Sequence, residues 1–275
     1  MHRIVLCCAV AMFMLLTPLA TWEQTTTSGE PLHLSRALRP WEFLSATGQQ
    51  AAFLGHEDGK MEAWVYPLKL FRDLHLIFHE GKRSVPGEAL ARSIDVRPES
   101  TTILYADDTF RARETFVAPV NENGGLILVE VDTEQALEIE VEFIRDFQLM
   151  WPASIGGTYM ESLQSANGFL FGEESRRFSG IIASPTGQEL RPEYQTNYSE
   201  AVASSFRLGT TAKGKETKVI VVAGSTRGRD ETMRTYQRLV ATAGLSEGSG
   251  DYYRKYMGRT VSLEIPDRQL QQTYD

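Results

Sequence analysis

Cysteine is nearly missing from this 275-residue chain: Cys7 and Cys8 are the only two. Both lie in an N-terminal apolar run, too early for a lipoprotein cleavage site. Removing that run leaves no thiol, which excludes a disulfide framework, a thiolate metal site and a cysteine nucleophile. Histidine is scarce as well, at five residues, and no HExxH pair occurs. There is no GxSxG elbow. The stretch "AGSTRGRD" is glycine-rich but lacks the lysine and spacing of a phosphate loop. Basic charge is short: the net charge is −8, so no nucleic-acid face is expected. Beyond the leader no apolar run is long enough to span a membrane. No short repeat of the propeller or solenoid kind is visible. No cofactor, metal or catalytic residue is assigned from the sequence.

What is present begins with a leader. Met1-His2-Arg3 is a short positive segment, Ile4 to Leu16 is apolar, and Ala20 offers a small residue at a cleavage point. This reads as a signal peptide over residues 1–22, implying a secreted or periplasmic protein. An uncleaved anchor stays open, because Pro18 stands where a small residue is preferred. About 250 residues follow, enough for one large β domain or two small ones. A neutral, hydrophilic partner such as a sugar suits an acidic exported chain better than a polyanion does.

From Trp41 to Gly224 the pattern has period two. In "ALEIEVEFIRDF", Leu137, Ile139, Val141 and Phe143 oppose Glu138, Glu140 and Glu142, the mark of a half-buried antiparallel strand. "GLILVEVDT" precedes it and is expected to pair with it as a hairpin. Asp107-Asp108 marks a turn between two strands, and "SANGFLFG" carries an Asn-Gly hairpin signal. Pro67 interrupts "KMEAWVYPLKLFRDLHLIF", which suits an edge or a bulge. So many strands with so little helix predict a large two-layer antiparallel β-sandwich over residues 30–228. A barrel is the structural competitor. Residues 229–259 are expected to form a short helical linker. "DETMRTYQRLVATAG" is one amphipathic helix of it, and "EGSGDYYRKYMGR" a second, with Tyr252, Tyr253 and Tyr256 clustered. Residues 260–275 read as a strand and the start of a helix, with Asp267 as N-cap. A start signal followed by one turn of helix is the pattern of a cut chain.

Candidate chemistry is sparse. His75 and His79 are four apart, but on a strand they stand about 13 Å from each other. Glu57, Asp58, Glu62, Asp107, Asp108 and Asp146 are carboxylates of the type a glycosidase needs, though a turn or a wet strand face explains most of them. Asp146 stands out, because the glutamate alternation there gives way to Arg145-Asp146 and then Trp151-Pro152. Trp64 and Tyr66 follow a similar acidic turn. An indole stacks on the apolar face of a pyranose while a carboxylate takes its hydroxyls. Trp64, Asp146 and Trp151 are therefore the expected substrate-binding residues, close together where the linker leaves the sandwich. The alternative makes both tryptophans core residues.

Three stretches, "RPWEFLSATGQQAAFLGHEDGKMEAWVYPLKL", "FIRDFQLMWP" and "VSLEIPDRQLQQTYD", together resemble the N-terminal region of glycogen-debranching-type glycosidases. These enzymes have a six-hairpin (α/α) catalytic toroid preceded by a galactose-mutarotase-like supersandwich. The resemblance implies that the last stretch enters the first toroid helix, that acid and base lie in a toroid this chain lacks, and that the chain is inactive alone. The implied parent hydrolyses α-glucosidic bonds, with an α-glucan or oligosaccharide as partner and the sandwich forming one wall of the cleft. A stand-alone carbohydrate-binding sandwich is the alternative. An aldose-epimerase-like enzyme, using a histidine and a glutamate, is the third reading.

Overall fold

The computed structural model describes residues 33–193, 202–242, 247–260, 263, 265–267, 270 and 271. The leader lies outside them, as does most of the strand expected after Thr260. In chain order the first elements are β1 (Leu34–Ala37), β2 (Phe43–Thr47), β3 (Ala51–His56), β4 (Met61–Val65), β5 (Leu68–Glu80), β6 (Arg83–Pro86) and the single turn α1 (Gly87–Leu90). Next come β7 (Ala91–Arg97), β8 (Ser100–Ala106), β9 (Phe110–Val117), β10 (Gly124–Thr133), β11 (Leu137–Leu149), β12 (Thr158–Leu163) and β13 (Gly168–Glu173). The last are β14 (Ser179–Ala183), β15 (Gln188–Arg191), β16 (Ser204–Thr211), β17 (Gly214–Ser225), α2 (Arg229–Thr242) and α3 (Glu247–Met257).

The strands form two antiparallel sheets, as the alternation predicts. The nine-stranded sheet runs β1-β7-β8-β9-β10-β17-β14-β13-β12; the eight-stranded sheet runs β15-β16-β11-β5-β4-β3-β2, with β6 paired to β5. Their facing side chains make the main core. Phe143 on β11 is its hub, with ring centroids 5.4 Å from Phe71, 5.7 Å from Phe169 and 6.1 Å from Phe171. A second cluster lies outside the nine-stranded sheet, where Tyr236 and Leu239 of α2 cover Leu170, Ile181, Val221 and Ala223. The strand segments "GFLFGE" and "SGIIA" are buried at every position for this reason. A strand covered on both faces has no wet side to alternate with.

Two expectations are corrected. β10 and β11 do not pair: β10 lies between β9 and β17, and β11 lies between β16 and β5. The link after Thr133 carries the chain from one sheet to the other, because period two sets which face is buried and not which strand is the neighbour. Pro67 is neither at an edge nor in a bulge; it sits in the turn joining β4 to β5, where Val65 pairs with Leu68. At the C-terminal end Asp267 caps as expected, its Oδ1 accepting from the Leu270 N–H at 3.0 Å.

Candidate functional site

Two of the three predicted residues, Trp64 and Asp146, meet on the outer face of the eight-stranded sheet. The turn at Tyr66-Pro67, a cis peptide, sets Trp64 opposite Lys69. The β5–β11 register then sets Lys69 opposite Gln148. Lys69 is the centre of the group. Its Nζ lies 2.5 Å from Glu62, 3.0 Å from Asp146 and 5.6 Å from the centroid of the Trp64 ring. Trp64 Nε1 donates to Glu62 Oε1 at 2.6 Å, and Gln148 Nε2 donates to Asp146 Oδ1 at 3.0 Å. The Tyr66 ring lies 6.5 Å from that of Trp64, tilted by 31°.

Partial burial pulls the Lys69 pKa down, but hydrogen bonds to Glu62 and Asp146 outweigh it and hold the ammonium above its ordinary value. The group is thus a fixed cation between two carboxylates beside an indole. It offers acceptors and an aromatic face to a neutral hydroxylated ligand.

Trp64 and Asp146 are brought together; Trp151 stands apart from them. It follows the end of β11, where Met150 N–H donates to Pro67 O at 2.7 Å, so it lies beyond the same turn. Its side chain is 85% exposed, and Trp64 is half-buried on the outer face. Neither tryptophan belongs to the core. The linker reaches this end of the sheet too: Tyr253 Oη of α3 donates to Thr47 O at 3.0 Å. Thr47 pairs with Ala52, and Ala52 with Trp64, so one row of residues runs from the foot of α3 to Gln148.

Lys69 and Gln148 were missed in the sequence. The signal was there: a two-residue turn at Tyr66-Pro67 forces 64 opposite 69. The remaining carboxylates have other tasks. Glu57 binds Arg36 and the Arg39 N–H, and Asp107 pairs with Arg83 at 2.5 Å. The two strand histidines take separate partners. His79 Nε2 lies 2.9 Å from Glu140, whose other oxygen accepts from Ser205; His75 Nδ1 lies 2.9 Å from Asp73 O.

No family model matches the sequence, and no curated protein matches it. Solved structures do. A bacterial glucoamylase complexed with acarbose aligns over 84% of this chain and 39% of its own, at 10% identity and a TM-score of 0.52. A protein assigned as a kojibiose phosphorylase, from the human microbiome, aligns over 76% of this chain and 35% of its own, at 8% identity and a TM-score of 0.49. A protein assigned as an aldose 1-epimerase, from Escherichia coli K12, aligns over 67% of this chain and 99% of its own, at 7% identity and a TM-score of 0.43. This chain spans about two fifths of the glucoamylase. At such identity the likeness is one of fold: the two-layer antiparallel sandwich of this chain aligns with about two fifths of a bacterial glucoamylase.

Proposed function

We propose that this chain is the non-catalytic β-sandwich portion of an exported, debranching-type glycoside hydrolase. In that role it forms one wall of the cleft that holds an α-glucan or oligosaccharide, and an α/α toroid of the same parent chain supplies the acid and base. The observation that carries this reading is the Trp64–Glu62–Lys69–Asp146 group, held on an open sheet face at the end where the linker α3 makes contact. The fold likeness to a glucoamylase supports it. A site fixed on strand ends is rigid, which suits recognition of a substrate that must be held in one pose.

Two outcomes are expected for the purified chain. It releases no glucose from maltooligosaccharides or glycogen, followed by a coupled glucose assay; turnover at enzyme-like rates would overturn the non-catalytic role. It binds maltooligosaccharides, and Trp64→Ala weakens that binding by roughly two- to tenfold, the scale of one lost aromatic stack. Trp151→Ala is expected to act in the same direction. Calorimetry and thermal melts on the same samples decide: unchanged affinity with collapsed stability returns both tryptophans to a purely structural role.

The pair His79–Glu140, at 2.9 Å, is the histidine–glutamate contact on which the epimerase reading can be tested. An acid for the ring oxygen and a base for the anomeric hydroxyl must each reach the sugar, and these two side chains are engaged with each other. Anomer interconversion by the chain, lost in His79→Ala, would reinstate it.

A further inference from the structure

The sugar-facing surface does not end at Glu62. On the β2 side of that residue a groove of about 690 Å³ opens. Its wall is aromatic: Trp41 is 89% exposed and Phe43 65%, and Phe43 meets His56 edge-on at 6.3 Å. Trp41 is not on a loose loop. Glu57 is only 1% exposed; it accepts from the Arg36 guanidinium at 2.9 and 2.5 Å and from the Arg39 N–H at 2.7 Å. Its own N–H donates to Glu42 O at 3.1 Å. The residues flanking Trp41 are thereby tied to the turn between β3 and β4. An indole held out in water on a pinned backbone is preorganised for a ligand.

The charges in the groove select the ligand. Lys60 pairs with Glu88 at 2.5 Å, and Arg72 pairs with Asp73. Asp58 adds a further carboxylate, accepting from the Lys60 N–H at 3.0 Å. Every cation is answered and acid is in excess, so an anion is repelled. A neutral ligand with hydroxyls for the carboxylates and an apolar face for the rings fits.

Glu62 lines the groove and also belongs to the Lys69 group, so the two are one surface. Leu54 pairs with Glu62 and Phe43 with His56. From β2 to β11 the surface crosses four strand spacings, about 19 Å. We infer that this face binds an extended neutral oligosaccharide across the strands, with Trp64, Lys69 and Asp146 at one end and Trp41 with Phe43 at the other. The inference rests on the function proposed above and adds the length and direction of the ligand.

The test is calorimetric titration of the chain with a ladder of maltooligosaccharides from maltose to maltoheptaose. Affinity is expected to rise with length until the groove is filled. Trp41→Ala and Phe43→Ala should each weaken the long ligands roughly two- to tenfold and leave the shortest bound ligand unchanged. Both side chains are exposed, so circular dichroism should show the fold intact. Trp64→Ala should weaken short and long ligands alike. Length-independent affinity, or long ligands indifferent to Trp41 and Phe43 while Trp64→Ala still weakens them, overturns this inference alone. Binding at no length overturns the proposed function with it. Tighter binding of a sulfated oligosaccharide than of maltoheptaose overturns the assignment of a neutral ligand.

Discussion

Glu114→Gln is expected to leave stability unchanged near pH 4 and to raise it strongly above neutrality. Glu114 lies on the inward face of β9 with Phe110, Ala112 and Phe116, and its side chain is fully buried. Burial pushes its pKa up to about 8, against the opposing hydrogen bond from Tyr105 Oη, which donates to Glu114 Oε2 at 2.6 Å. Oε1 has no hydrogen-bond partner. The folded pKa lies above the unfolded one, so the folded state holds the extra proton between them. Stability is then fully present below about pH 4.5 and falls as pH rises towards 8. The loss over that window is on the order of 4–5 kcal/mol, a large share of a typical domain's stability. Glutamine keeps the acceptor for Tyr105 and cannot ionise. Urea unfolding from pH 4 to 9 should show the wild-type curve falling and the variant nearly flat. Parallel curves would show that Glu114 is not the group responsible. The site has little room to relax: Gly59, at φ 96°, closes over it, and a Cβ there would stand 2.7 Å from the Tyr105 hydroxyl.

Phe143→Ala is the second large effect, at about 3–5 kcal/mol. Phe143 is 0% exposed and touches rings from both sheets: Phe71 on β5, and Phe169 and Phe171 on β13. Removing it opens a cavity between the layers that stiff neighbouring rings cannot fill. Urea midpoints at constant slope measure the loss. A change below about 1 kcal/mol would mean that the layers do not depend on this contact. Phe143 points inward while its neighbour Glu142 points outward, so oligosaccharide affinity of the folded fraction should hold.

Local alternation made much of this fold legible. Glu138, Glu140 and Glu142 announce the outer face of β11, although Glu140 is not wet: it is 6% exposed, held by Ser205 and His79. The same rule puts Glu114 inside, since it shares parity with Phe110, Ala112 and Phe116. Pairing was not legible. β10 and β11 are neighbours in sequence and members of different sheets, and nothing in either strand encodes the partner, which is chosen by shape and burial across the whole domain. The candidate site divides the same way. Trp64 and Asp146 stood out by residue type and context. Their meeting depends on Lys69, whose placement follows from the turn before it and from the irregular β5–β11 register between Arg145 and Gln148. Trp41 and Phe43 looked ordinary in sequence, because exposure is a property of the assembled edge.

β17 is the last strand among the described residues and sits inside its sheet, between β10 and β14. During synthesis the five strands from β1 to β10 and the three of β12 to β14 emerge as two separate pieces, each with an open edge. Neither can close until residues 214–225 leave the ribosome. A nascent chain stalled before Gly214 therefore exposes two unpaired strand edges, those of β10 and β14. Once Ser225 has emerged, β17 can pair with both and join them into one sheet.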